Sequence, residues 1–185
     1  ISSWKFMRFR MSLLIYGGVM VVVLGIAAMT RSEPPQPRIG TMVLPDNYRE
    51  TFVQYATVDR ADGVARHIYV DPVAIEGWRR GQPLPDGTRI VIEAFHGRTA
   101  ADGTLLSENN QLVPGEFADP IHMAEKRDTW RLDELATSSR VGDWNFASFD
   151  ARTGEPTDEN INDCFTCHDA SANGTDFIFT VPILG

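Results

Sequence analysis

Cys164-Phe165-Thr166-Cys167-His168 contains the only two cysteines in a chain of 185 residues. Cys-x-x-Cys-His is the attachment spacing of a c-type haem. On a helix, Cys164 and Cys167 lie about one turn apart, and His168 falls on the same face. Each thiol then adds to one vinyl group of the haem, and the imidazole of His168 is offered to the iron as proximal ligand. A structural zinc site would want further ligands at fixed spacing, and the chain has no second Cys-x-x-Cys. A redox dithiol of the thioredoxin type belongs in a βαβ unit and has no need of the histidine. The expected cofactor is therefore one covalent haem c, held by Cys164, Cys167 and His168. Both cysteines are then used and no disulfide is available. Haem attachment of this kind takes place outside the bacterial cytoplasm, so the body of the protein is expected in the periplasm.

Outward from the motif, residues 158–162 open its helix, with acids near the N-terminus where the helix dipole favours them. Residues 143–150 alternate as a strand, with Trp144, Phe146 and Ser148 on one face, and 121–126 form another. Residues 97–116 are polar, with Asp102-Gly103 and Asn109-Asn110 as turn signals of a long hairpin or loop. Pro85-Asp86-Gly87 is a turn leading into 89–95, RIVIEAF, a β-branched strand. Asp71 caps and Pro72 begins a helix that ends near Gly81, after a short strand at 66–70. Tyr48, Phe52 and Tyr55 recur at helical spacing, so 46–56 is expected as a helix capped by Asp46 whose aromatics pack in the core. Residues 176–180 (DFIFT) are apolar enough to return to that core. Strands outnumber helices and the links are short. The expected fold class is α+β: a mainly antiparallel β-sheet with a few helices and a C-terminal haem-binding helix.

The N-terminal end is different in kind. Residues 11–29, MSLLIYGGVMVVVLGIAAM, carry no charge and as a helix would span roughly 28 Å, close to the hydrocarbon thickness of a bilayer. Trp4, Phe6 and Phe9 precede the run, interleaved with Lys5, Arg8 and Arg10, a pattern suited to a cytoplasmic interface. The run is longer than a signal-peptide core, so an uncleaved single-pass anchor is expected. Residues 1–10 would be cytoplasmic, 11–30 would form the transmembrane helix in the bacterial inner membrane, and 31–44 (with Pro34, Pro35 and Pro37) would be a stiff tether. Residues 45–185 would then form the periplasmic domain. The first 31 residues hold four basic and no acidic residues; the rest holds 13 basic and 25 acidic. An acidic body excludes nucleic acid as a partner and suits a partner with a basic docking face. Gly17, Gly18 and Gly25 leave flat places where a neighbouring helix could pack.

Taken together, several short stretches resemble the cytochrome P-460 family, related to the beta-type cytochromes c′. They are Pro85-Asp86-Gly87-Thr88, Met123-Ala124-Glu125-Lys126-Arg127, Gly142-Asp143-Trp144-Asn145-Phe146-Ala147, the Cys164–His168 motif and Asp176-Phe177-Ile178-Phe179-Thr180. The resemblance covers roughly residues 45 to 182. It implies a mainly antiparallel β fold with one c-type haem near the C-terminus and a His-ligated, often five-coordinate iron that binds nitric oxide or oxidises hydroxylamine. Members that oxidise hydroxylamine carry a lysine cross-linked to the haem edge, expected in the RIVIEAF strand, which has none; Lys126 is the only lysine of the body. For the sixth coordination position the body offers Met42, Met123, His67, His96 and His122. Met123 leads as distal ligand, although an open site flanked by Phe95 or Phe146 is preferred. Because His122 and Met123 are adjacent in a strand, at most one of them faces the haem. Glu93 is a candidate distal acid or base, with pairing to Arg89 or solvation as the preferred alternative. The function expected is a membrane-anchored redox or accessory subunit of a larger respiratory or photosynthetic electron-transfer complex. The alternatives are a haem enzyme acting on hydroxylamine or nitric oxide, and a binder of a small gaseous ligand without turnover.

Overall fold

β-branched and aromatic runs supply a five-stranded sheet in a computed structural model that describes residues 42–130, 141–170 and 175–180. Its strands are β1 (Val53–Asp59), β2 (Val64–Val70), β3 (Arg89–Gly97), β6 (Pro114–Lys126) and β7 (Trp144–Phe149), hydrogen-bonded in the order β1-β2-β3-β6-β7 with every pair antiparallel. A small hairpin of β4 (Ser107–Glu108) and β5 (Gln111–Leu112) lies in the β3–β6 connection. Its turn is Asn109-Asn110, with φ of 52° and 63°, the left-handed pair that a two-residue hairpin needs. The described residues lie within the compact unit Pro34–Gly185. Among them, no helix is long and apolar enough to cross a membrane. The expected anchor and its flank, residues 1–30, lie outside the described residues, as does most of the expected tether.

The mainly antiparallel sheet with a few helices matches the sequence expectation. Helix α2 (Pro72–Arg79) begins as read, with the Asp71 carboxylate accepting from Val73 N–H at 2.9 Å. Two expectations need correction. Residues 46–56 are not one helix. Only α1 (Tyr48–Thr51) is helical, it starts from Asn47 rather than Asp46, and Val53 already begins β1. A bulge between Gln54 and Ala56 leaves Tyr55 as the extra residue of β1, so the aromatic spacing spans a helical turn and a strand. The strand expected at 121–126 starts at Pro114. Its pairing to β3 shifts register between Ile92 and Ala94, and the surplus residues of β6 there include Pro120. A proline cannot donate to a ladder and is accommodated at such an irregularity.

Residues directly opposite one another on antiparallel neighbours put their side chains on the same face. The pairings therefore divide the sheet. One face carries Arg66, Ile68, Ile92, His122, Ala124, Lys126, Trp144, Phe146 and Ser148; the other carries Tyr69, Val91, Glu93, Phe95, Met123, Ala147 and Phe149. α1 covers the second face. Tyr48 donates to the Glu93 carboxylate at 2.5 Å, and the two tyrosine rings of Tyr48 and Tyr69 meet edge to face at 5.5 Å. Glu93 also accepts from Arg49 Nε at 2.6 Å and from Tyr69 at 3.1 Å, and is 2 % exposed. Its expected pairing with Arg89 is thus replaced by Arg49, while Arg89 lies over the Phe52 ring. Phe95 also lies on this face, between His67 and Phe117.

Removing the carboxylate leaves two tyrosine hydroxyls without their acceptor. Glu93→Ala is expected to cost about 3–5 kcal/mol, against about 0.5–1.5 kcal/mol for Tyr69→Phe, read as shifts of the denaturant midpoint. Burial, reinforced by the Glu93 carboxylate, pushes the Tyr69 phenol up to about 12 and raises Tyr48 as well. A phenol raised above its unfolded value near ~10 contributes stability that is present below that pH and lost as pH climbs through the folded value. Unfolding monitored by phenolate absorbance should therefore fall between about pH 10 and about pH 12, and Tyr69→Phe should weaken that alkaline transition.

Candidate functional site

The motif lies on α3 (Asn162–Ala170). Ile161, Phe165 and His168 follow helical spacing and form the side that meets the sheet: Ile161 and Phe165 are buried. Phe146, in the middle of β7, receives both Phe165 (centroids 5.0 Å apart, edge on) and His168 (4.6 Å, tilted). Cys164 is half-buried beside this contact and Cys167 is exposed. Burial, with Glu159 and Asp163 nearby, pushes the Cys164 thiol up to about 11. The three motif residues are thus brought together on one short helix whose apolar side is fixed to β7.

His168 is oriented from the other side by the tail. Its Nδ1 lies 2.6 Å from the Phe177 carbonyl oxygen. A carbonyl only accepts, so Nδ1 carries the proton and Nε2 is the nitrogen with a lone pair to give. Burial, the leading cause, and the Arg66 charge hold the imidazole below its ordinary pKa, against the carbonyl that favours its charged form. The neutral form is the one that ligates a metal. The carbonyl is aimed by two consecutive residues in the left-handed region, Asp176 at φ 49° and Phe177 at φ 60°. Neither is glycine, and such positions cost on the order of 1–3 kcal/mol each unless the surroundings impose them. Phe179 completes the setting, its ring 4.9 Å from that of His168.

Two of the five expected sixth-position candidates, Met123 and His67, lie on the sheet face turned away from this arrangement. Met123 pairs with Val91 and Ala147 and is 1 % exposed on the sheet face opposite Phe146. The two-residue period of β6 turns Met123 away from α3. His67 shares that far face, beside Phe95. Met42 is buried in the core and His96 is exposed. His122 faces the α3 side, but its Nε2 lies 2.9 Å from Glu159. Of the expected flanking phenylalanines, Phe95 is on the far face and Phe146 packs on His168 itself.

Sequence reasoning missed Arg66. It lies on the α3 side of the sheet, close enough for Cys164 and Cys167 to act on its charge, and its buried Nε has no hydrogen-bond partner among the described residues. Its only signal in the sequence was a charged residue amid a hydrophobic strand. A haem brings acidic side groups, and a buried guanidinium edge without a partner beside the two thiols fits such a group. The donor set fits as well: one oriented imidazole and two thiols one turn apart. No cluster of three His, Cys, Asp or Glu side chains that could hold a bare metal ion occurs among the described residues. Cys164 and Cys167 would hold the haem covalently, His168 Nε2 would ligate its iron and Arg66 would meet an anionic edge. The group would supply a redox-active iron able to take a further ligand.

These features define a c-type haem protein built on an antiparallel sheet. The sequence profile of the cytochrome P460 family matches residues 45–180, and the chain belongs to that family. Haem c, covalently bound, follows from that membership. No curated protein matches the chain.

Gly142 (φ +57°) carries the Phe177 ring: a Cβ there would meet that ring at 2.8 Å. Gly142→Ala is therefore expected to destabilise the haem-loaded protein by about 1–3 kcal/mol, seen as a lowered Tm. Phe177→Leu in the same background should recover part of the loss, because it removes the ring that the methyl strikes.

Proposed function

We propose that this protein is an exported, membrane-anchored c-type haem protein whose iron is held by His168 on one side and open to a small ligand such as nitric oxide on the other. The observation that carries the open site is the placement of Met123 on the far face of the sheet. His122 is engaged by Glu159, and the remaining candidates are exposed, buried in the core or on the far face. Lys126, the lysine left for a haem cross-link, instead donates to Asp176 and to the Leu84 carbonyl, which weighs against hydroxylamine oxidation and toward ligand binding without turnover.

The uncharged run at 11–29 and the basic residues before it support a single-pass anchor with its N-terminus in the cytoplasm and residues 45–185 in the periplasm. A second reading, an accessory or redox subunit of an integral membrane electron-transfer complex, has its support in the acidic body and that anchor. The two readings differ at the iron, since an electron carrier usually has two strong axial ligands.

Absorption spectra of the oxidised and reduced protein, with and without nitric oxide, test the open site. A high-spin ferrous iron that converts on adding the gas is expected; a low-spin iron indifferent to it would refute the proposal. Met123→Leu, a volume-conserving core change costing under about 1.5 kcal/mol, should leave every spectrum unchanged. Conversion from low to high spin in that variant would restore Met123 as a ligand.

A further inference from the structure

We propose that Lys126 is a positioning residue for the proximal ligand: through Asp176 it holds the Phe177 carbonyl on Nδ1 of His168 and so sets the electron donation that the iron receives. The proposal rests on His168 as the iron ligand and deepens that reading. Lys126 ends β6 opposite Trp144, on the sheet face that bears Phe146. Its Nζ donates to Asp176 Oδ2 at 2.7 Å and to the Leu84 carbonyl at 3.0 Å, and lies 5.9 Å from the centre of the Trp144 ring. The side chains of the pair are 13 % and 25 % exposed, drier than an ordinary surface ion pair and less screened by salt.

Asp176 is the first of the two left-handed residues, and the next carbonyl in the chain is the one His168 uses. Ile178 is buried and its N–H returns to Thr175 O at 3.0 Å, the Phe177 ring packs on Gly142, and the Thr180 hydroxyl bonds to that of Tyr55. The Lys126–Asp176 pair acts on the residue immediately before the carbonyl. A ligating imidazole whose second nitrogen donates to a fixed acceptor is a stronger donor to the metal. Stronger donation favours the oxidised iron, so loosening the carbonyl should raise the reduction potential.

The test uses the full-length haem-loaded protein and reads the midpoint potential together with the ferrous iron–histidine stretching band. Lys126→Met and Asp176→Asn are each expected to shift the oxidised-to-reduced ratio at a fixed potential about tenfold toward the reduced form, ~59 mV for a one-electron couple. The stretching band should move to lower frequency in both. The double variant should go no further than the larger single change, because both remove one interaction, and Lys126→Arg should stay near the wild type. Asparagine tolerates the left-handed region, so Asp176→Asn removes the charge without forbidding the turn, and it decides the matter should Lys126→Met fail to accumulate with haem. Potentials and bands unmoved by Asp176→Asn, or effects that add in the double variant, would overturn the proposal while leaving His168 as ligand. A high-spin ferrous wild-type protein with no iron–histidine band would overturn both.

Discussion

Side chains on a strand alternate between the two faces of its sheet, and this constraint decides which residues of the chain can meet His168. α3 packs on the face that Phe146 presents. Every strand paired in register with β7 then contributes only alternate residues to that side. His122, Lys126 and Arg66 are admitted; Met123, Glu93, His67 and Phe95 are not. The excluded group contains Met123 and His67, two side chains whose chemistry would compete for the iron. A shift of one residue in the β6–β7 register would exchange the two sets, so the identity of the residues around the haem is a property of the sheet as much as of the motif.

That register needs a rigid far face. Glu93 with Tyr48, Tyr69 and Arg49 is a buried polar cluster, and its geometry is directional where Val91, Met123 and Phe149 supply area alone. A buried carboxylate that accepts three hydrogen bonds is costly to leave half satisfied. It therefore penalises any arrangement that moves α1 or slides β2 along β3. The cluster also lies beside the irregularity in β3–β6 pairing, between Ile92 and Ala94. Polar specificity is placed where the ladder is interrupted.

The motif helix, the capped start of α2, the hairpin turn at Asn109-Asn110 and the RIVIEAF strand were legible because each is announced by local chemistry: ligand spacing, a capping carboxylate, a left-handed turn, β-branched residues. What was not legible depended on pairing. Tyr48, Phe52 and Tyr55 keep the spacing of one helix although a strand begins at Val53, and Pro120 hid the first half of β6. Adjacent in sequence, His122 and Met123 were known to face opposite ways, yet only the partner strand says which way is inward. Lys126 was read against a cross-linking role, although its actual partner, Asp176, lies 50 positions on and is joined to it only when the tail returns to β6.

The family stretches acquire a common purpose from this geometry. Lys126 of the second, Gly142 and Phe146 of the third, His168 of the fourth and the Asp176-Phe177 carbonyl of the fifth all act on one imidazole, from its face, its edge or its Nδ1. A nine-residue helix is too short to hold its own orientation by helix stability alone. Covalent thioethers would fix the haem to that helix but would not fix the helix to the protein. The sheet and the tail do the second task, so residues distant from the cysteines in sequence carry as much information about the iron as the motif does.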